Sequence, residues 1–205
     1  MVSTVDVINV ALRRVGAARV VSLTDDSAEA VIANDLFSEV LDDLLRQHAW
    51  NFAIRRAKLA QLVDEPTFEF DHAYTMPANW IRTVSVHPNS EGAGTMFYRE
   101  EQLDDKRVIL TSTDEVYMRY VARVTDPNLW SADFRNAVSM TLARDFAIPL
   151  GNSNTLHANF DKLSRGALAR ARSTDAMGSS PERLPRGSWV TRRGVQRPII
   201  GDTTT

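Results

Sequence analysis

The sequence predicts a mainly α fold: a four-helix core with a β-rich insertion between helices 2 and 3, followed by an extended C-terminal arm. Three observations predict this class. On both sides of the insertion, apolar residues recur every three or four positions, which is the period of amphipathic helices. Between these segments, apolar and polar residues alternate, which is the period of strands. From Met177 onward the chain shows neither period and is rich in Pro, Gly and Arg.

The longest helical pattern runs from Ser27 to Trp50 and organises the predicted fold. Its polar positions fall on the side opposite its apolar positions, as in a helix that packs one face against a core. Asp26 and Ser27 offer side-chain oxygens as N-caps, and Glu29 suits the helix dipole. Such a helix would be roughly 36 Å long. Its apolar stripe consists of Ala33, Phe37, Val40, Leu41, Leu44, Leu45 and His48.

Helix 1 is predicted to begin at Ser3 or Thr4 and to end before Gly16, which occupies the position of a C-terminal glycine stop. A connector over 17–26 then leads to the long helix. The apolar stripe of helix 1 is Val5, Ile8, Ala11, Leu12 and Val15, and Asp6, Asn9, Arg13 and Arg14 are expected to face outward.

Two more helices are predicted after the insertion. Ser131 can cap helix 3, which Pro149 and Gly151 stop. Thr155 opens helix 4, which is expected to fade near Thr174. Helix 3 carries Phe134, Val138, Leu142 and Phe146 at intervals of four residues, and helix 4 carries Leu156, Phe160, Leu163, Ala167 and Ala171.

Strands are predicted from residue 68 to residue 124. Apolar and polar residues alternate in the segment 80–86, which Pro77 and Pro88 bracket. They also alternate over the whole length of the segment 115–124. Asp104-Asp105 is expected to form a hairpin turn. Further strands are expected at 95–99 and 107–111, and the segment 51–62 is open between strand and short helix, with a strand favoured at its start. The resulting organisation is a helical core formed by 1–62 and 125–176, a β-rich insertion over 63–124 and an arm over 177–205.

Composition limits the classes of function. Hydrophobic residues make up 43% of the chain, which suffices for a packed core. The net charge of −2 argues against a protein whose whole surface binds nucleic acid. The absence of Cys excludes disulfides, zinc–thiolate sites and thiol nucleophiles. No secretory signal or long apolar run is evident, so we expect a soluble protein with no membrane partner.

Catalytic motifs are absent from the sequence: it contains no phosphate-binding loop, dinucleotide fingerprint, nucleophile elbow or HExxH pair. His48 falls on the apolar stripe of the long helix, where a satisfied core or edge residue is expected rather than a ligand. Asp42 and Asp43 are neighbours on a helix and therefore point in different directions. We expect no enzymatic activity, no cofactor and no metal site.

The arm is basic but not purely polar. The arm contains five Arg and two acids, Glu182 and Asp202, so its net charge is +3 and the rest of the chain carries −5. An extended, basic segment with scattered apolar anchors is typical of segments that lie on another surface. The alternative is a terminus without a role. The candidate contact residues are Arg183, Leu184, Arg186, Trp189, Arg192, Arg193, Arg197, Ile199 and Ile200.

Short motifs from residue 4 to residue 176 occur in an order that is similar to a known family. The motifs are 7–12, 15–16, 21–23, 30–34, 44–46, 48–53 with Arg56 and Leu59, 74–82, 119–127 and 142–150. By the order and spacing of these motifs, the chain resembles the head-to-tail adaptor (connector) proteins of tailed bacteriophages, including the podovirus tail tubular protein A group and the adaptor of gene transfer agents.

The resemblance implies a helical core with a β-rich insertion and assembly as a ring, typically of twelve identical subunits. It implies that the ring docks beneath the portal protein in the virion neck and receives the next neck or tail protein below. The C-terminal arm would reach into the portal, and DNA would pass through the lumen without being read. The polar face of the long helix would then line the ring seam or the channel, through Asp35, Glu39, Asp42, Asp43 and Arg46.

Two other functions remain open at this point. A small DNA-binding regulator could use the N-terminal helices and the Arg-rich arm, and its affinity for DNA would fall steeply with salt. A hydrolase could use an unrecognised carboxylate site that includes Asp42, Asp43 and His48, and a divalent metal would stabilise it.

Overall fold

A computed structural model describes residues 1–178 of the chain. Helix makes up 43% of the described residues and strand 20%, the latter in two antiparallel sheets. The fold is therefore mixed α/β, and the prediction of a mainly α fold with a four-helix core is wrong. The physical reason is that a sheet shares the core of the helices: Ile54, Ile81, Val84 and Val121 pack in the same hydrophobic cluster as all four helices.

Each helix begins at a serine whose side chain accepts a hydrogen bond from the first helical turn. Ser3 and Asp6 form a capping box, and Gly16 ends the first helix in a left-handed conformation (φ 79°). The predicted starts of the first and third helices and the glycine stop are confirmed. The helices are α1 Thr4–Val15, α2 Ala28–Arg46, α3 Ala132–Phe146 and α4 Asn154–Met177.

The long helix is shorter than predicted, because α2 ends at Arg46 rather than at Trp50. The buried indole of Trp50 turns back and donates from Nε1 to the carbonyl oxygen of Leu44, 2.9 Å away. Leu44 belongs to the last turn of the helix, whose carbonyl groups have no partner within the helix. Trp50 therefore caps α2 instead of extending it, and a 3-10 turn at Asn51–Ala53 follows.

Seven strands form the two sheets of the described part of the chain. The three-stranded sheet has the order β1-β7-β4 and the four-stranded sheet has the order β2-β3-β6-β5. The expected strand at 95–99 is wrong, since the strand begins at Arg99, whereas the turn at Asp104-Asp105 is confirmed between β5 and β6. The strands are β1 Ile54–Lys58, β2 Ala60–Gln61, β3 His72–Thr75, β4 Trp80–His87, β5 Arg99–Leu103, β6 Lys106–Thr111 and β7 Tyr117–Ala122.

The molecule is layered. α3 lies at the centre of the helical layer and packs against α1, α2 and α4, whereas α2 also contacts β4 and β7. One face of the three-stranded sheet packs against the helices. Its other face packs against the four-stranded sheet through a second cluster, which includes Tyr74, Ile109, Met118 and Tyr120. Within residues 1–178, no helix is long and apolar enough to cross a bilayer.

Aromatic residues hold the helical layer together. Phe134 of α3 lies in the core with its ring edge-on to Trp50 at 4.7 Å and to Trp130 at 5.3 Å between ring centroids. Trp130 donates from Nε1 to the carbonyl oxygen of Val124, as Trp50 does to Leu44. Trp50 and Trp130 are therefore core anchors. Trp80 is half-buried and stacks beneath the guanidinium of Arg107.

Candidate functional site

The polar face of α2 presents the five residues expected at a ring seam or channel wall. Asp35, Glu39, Asp43 and Arg46 are exposed, and Asp42 is half-exposed. At 100° per residue these positions fall within about one third of the helix circumference. The fold therefore brings the five side chains to one acidic surface.

Polar contacts join one edge of this surface to the neighbouring sheet. Asp42 accepts a hydrogen bond from Nε of Arg123, just beyond β7, at 2.7 Å. Arg46 donates to the carbonyl oxygen of Ile81 on β4 at 3.3 Å. The Asp42–Arg123 ion pair is partly exposed on both sides, so its contribution to stability is small, roughly 0.2–1 kcal/mol.

The other edge of this surface borders a groove of about 520 Å³ between α2, α3 and the start of α4. Glu39 and Asp43 line it, and Asp43 accepts a hydrogen bond from Gln47 at 2.7 Å. We call this the acidic groove. Its other lining residues are Leu36, Val40, Thr141, Arg144, Asp145, Ile148, Pro149 and His157.

The arginine of the acidic groove is already engaged. Arg144 donates two hydrogen bonds to its neighbour Asp145, at 2.7 and 3.0 Å. The hydrogen bond to Asp145, together with the negative charges of Asp145, Asp161 and Asp43, raises the pKa of Arg144. Asp145 neutralises the positive charge of Arg144. The carboxylates of Glu39 and Asp43 therefore give the groove a net negative charge.

A second groove, of about 390 Å³, lies between α1 and α3. Arg14 was expected to face outward, and instead it is half-buried there, donating to Ser139 at 2.9 Å and to Asn136 at 3.0 Å. Burial, and then the charge of Arg13, lower the pKa of Arg14. The spacing offered a signal, since Arg14 lies two turns from the buried Val7 and so shares its side of the helix.

We call this second groove the basic groove. Besides Arg14 it contains Arg135, which donates to the carbonyl oxygens of Pro127 at 3.0 Å and Trp130 at 2.8 Å. Neither arginine has a carboxylate within ion-pair distance in the described part of the chain. The other lining residues are Val2, Asp6, Val7, Val10, Asn136 and Ser139.

A third feature lies where α4 ends. Nε2 of His48 is 3.2 Å from Oδ2 of Asp175, whose side chain is only 7% exposed. The backbone N–H of Asn51 donates to the same carboxylate, and the Asn51 side chain donates to the Asp175 carbonyl at 2.6 Å. We call this set the arm junction. It confirms that His48 is a satisfied residue at the edge of the core.

The arm junction is the last described part of the chain before the expected contact residues of the arm. Those residues are Arg183, Leu184, Arg186, Trp189, Arg192, Arg193, Arg197, Ile199 and Ile200, and they all lie outside the described residues. Sequence patterns did not single out Asp175, because nothing in the helical period of α4 indicates its partners.

The hydrolase hypothesis requires Asp42, Asp43 and His48 to converge, and the fold gives each a separate partner. Asp42 pairs with Arg123, Asp43 with Gln47 and His48 with Asp175. Within residues 1–178, no group of three His, Asp or Glu side chains is arranged to hold a metal ion. The geometry therefore does not assemble the site on which that hypothesis depends.

The three-stranded sheet carries a basic patch that sequence reasoning missed. Arg56 on β1 is directly opposite Arg119 on β7. A groove of about 430 Å³ next to this pair is also lined by Lys58 and His87. Lys58 pairs with Glu115 at 2.6 Å, and this hydrogen bond raises the pKa of Lys58 and lowers that of Glu115. Cross-strand pairing brought these residues together, which no local spacing indicates.

No protein-family model fits the sequence, and no curated protein is significantly similar to it.

Proposed function

We propose that this chain is a structural virion protein, a head-tail adaptor that assembles as a ring of typically twelve copies beneath the portal. The ring joins the portal to the next neck or tail protein, and DNA passes through its lumen without being read. The protein has no catalytic role in this proposal. It assembles in the host cytoplasm and functions in the neck of the particle.

The observation that carries the proposal is the order of the short motifs between residues 4 and 176. Several of these motifs fall at joints of the fold, where helices and strands begin or end, whereas the motifs 7–12 and 30–34 lie inside α1 and α2. The motif at Val15-Gly16 includes the left-handed cap of α1. The motif 48–53 contains Trp50, which caps α2, and the motif 74–82 leads into β4. Residues at joints are constrained by backbone geometry, so an ordered set of them is more informative than apolar positions alone.

The surface of α2 is compatible with a channel or a subunit seam. Its exposed face carries four acids against one arginine. A wall of this charge does not bind phosphate tightly, so DNA can slide past it. The same charge disfavours α2 as a helix that grips DNA, which is the role that the alternative regulator would give to the N-terminal helices.

The arm supplies the expected contact with the portal. It follows directly after the arm junction, where Asp175 and Asn51 fix the end of α4 to the loop after α2. A basic segment with apolar anchors suits a docking surface that offers acidic groups and pockets. Fixing the start of the segment reduces the conformational entropy that docking costs.

Removal of the arm tests this proposal. A chain that ends at Gly178 should keep its fold, measured by circular dichroism, and should no longer bind portal rings in co-sedimentation. Two full-length variants separate the contributions within the arm. One replaces Trp189, Ile199 and Ile200 by Ser, and the other replaces the five arm Arg by Gln.

We expect both variants to bind portals more weakly than the native chain, the Gln variant with a reduced dependence on salt. A truncated chain that still joins portals and yields infectious particles would show that the arm is not the portal contact.

A further inference from the structure

The basic groove lacks a partner of opposite charge within residues 1–178. Arg14 and Arg135 donate only to uncharged acceptors: a hydroxyl, an amide oxygen and two backbone carbonyls. The acid of the groove, Asp6, accepts from the backbone N–H and hydroxyl of Ser3 in the cap of α1. A half-buried guanidinium with neutral partners is stabilised further when a carboxylate approaches it.

The acidic groove has the opposite charge and would be stabilised by a positively charged partner. Glu39 and Asp43 are exposed on its α2 wall, and Asp145 already neutralises its arginine. Ile148 adds an apolar contact in the same groove and is 50% exposed. Val2 and Val10 add half-buried apolar surface to the basic groove. The two grooves therefore match in charge, and each offers some apolar surface.

The two grooves lie on opposite sides of α3. Arg135 lines the basic groove and Arg144 lines the acidic groove. They are nine positions apart on one helix, which is about two and a half turns. Complementary surfaces on opposite sides of a subunit cannot pair within one chain. They can pair between copies arranged head to tail, and such a contact closes into a ring when the rotation between copies is constant.

We propose that the basic groove of one copy receives the α2 wall of the acidic groove of the next copy, with Arg14 and Arg135 facing Glu39 and Asp43. The occupant of each groove is a second copy of this chain, and the inference rests on the proposed function for the ring that it builds. It assigns the polar face of α2 to the subunit seam rather than to the channel wall.

Paired cysteines test the seam. The chain has no native cysteine, so a double variant, Val10→Cys with Ile148→Cys, places one thiol in each groove and keeps both seam acids. Because α3 lies between the two grooves, a short bis-maleimide linker cannot join these thiols within a chain. The control is Val10→Cys with Glu100→Cys, which moves one thiol to the exposed β5. Both variants are assembled with portal rings, cross-linked and run on denaturing gels, and the same samples are imaged.

If the proposed seam is correct, the first variant gives a ladder of cross-linked multimers on the gel and the control gives no ladder. Adding Asp43→Lys to the first variant should reduce the ladder. Rings that are visible in the images without a ladder would overturn the seam and leave the ring proposal standing. If no rings form with the portal at all, for the native chain as well, the proposed function fails and this inference fails with it.

Discussion

His48 and Asp175 are joined side chain to side chain, with Nε2 of His48 3.2 Å from Oδ2 of Asp175. This contact links the loop after α2 to the last turn of α4. The same carboxylate accepts from the backbone N–H of Asn51. The end of the helical layer is therefore held at the point from which the chain continues into the arm that we propose binds the portal.

Loss of the Asp175 carboxylate should destabilise the fold. Asp175→Ala leaves the N–H of Asn51 and the ring of His48 without their acceptor, at a cost of about 1–3 kcal/mol. Asp161→Ala is the control, since Asp161 makes an ion pair with the exposed Arg165 of the same helix, worth about 0.3–0.5 kcal/mol. Urea unfolding measures both. Equal losses in the two variants would mean that the arm junction adds no more to stability than an exposed ion pair.

The indole N–H groups of the two buried tryptophans should each contribute to stability. Trp50→Phe and Trp130→Phe keep an aromatic ring beside Phe134 but leave the carbonyl groups of Leu44 and Val124 without these donors. We expect a loss of about 1–2 kcal/mol for each, with an added packing cost. Trp80→Phe should cost less, because Trp80 is half-buried and donates to the Thr83 hydroxyl, which water can also reach. A larger effect at Trp80 would contradict the assignment of the core anchors.

Neighbouring acids on α2 should differ in their effect on assembly. Asp43 lines the acidic groove, whereas Asp42 pairs with Arg123 at the edge next to the sheet. Asp43→Lys should reduce the number of rings that form with the portal, and Asp42→Lys should reduce it less. Both variants should remain folded by circular dichroism. If rings assemble unchanged after reversal of both charges, this face of α2 is merely solvated.

Acid should weaken the fold in part through Asp6 and Asp126. Hydrogen bonds from the backbone and then the side chain of Ser3 hold the pKa of Asp6 below its usual value of 3.8. The backbone and then the side chain of Asn128 do the same for the pKa of Asp126. A folded-state pKa below the unfolded value stabilises the fold above pH 3.8, and this contribution disappears as the pH falls through the folded-state pKa.

Asp6→Asn with Asp126→Asn should therefore show a smaller loss of melting temperature than the native chain as the pH is lowered below 3.8. Asp35→Asn on the exposed face of α2 is the control and should retain the native slope. An unchanged slope in the double variant would mean that these two caps do not control the acid transition.

The sequence predicted local structure well where a short-range signal exists. Ser27 and Ser131 indicated helix starts, and Gly16 indicated a helix end, because caps act on backbone groups only a few residues away. The turn at Asp104-Asp105 was predictable for the same reason. The end of α2 was not, since the periodic pattern continues to His48 and the decisive hydrogen bond of Trp50 depends on the chain turning back.

Long-range contacts explain the errors. The predicted fold class was wrong because Ile54 and Val121 belong to the helical core through the pairing of β1 with β7, a contact between segments far apart in sequence. Arg14 gave a signal only through its spacing from Val7. The five residues of α2 that were expected at a ring seam or channel wall could be grouped from sequence, because a helix places them on one face, but the acidic groove beside them is also lined by residues of α3 and α4.

Electron microscopy of the protein alone and mixed with its portal protein tests the central claim most directly. The adaptor proposal predicts closed rings, seen end-on, that form with or are strongly promoted by the portal and sit coaxially beneath it. Particles that remain single copies in the presence of portal rings, or that bind portals without forming a ring, would contradict the proposal.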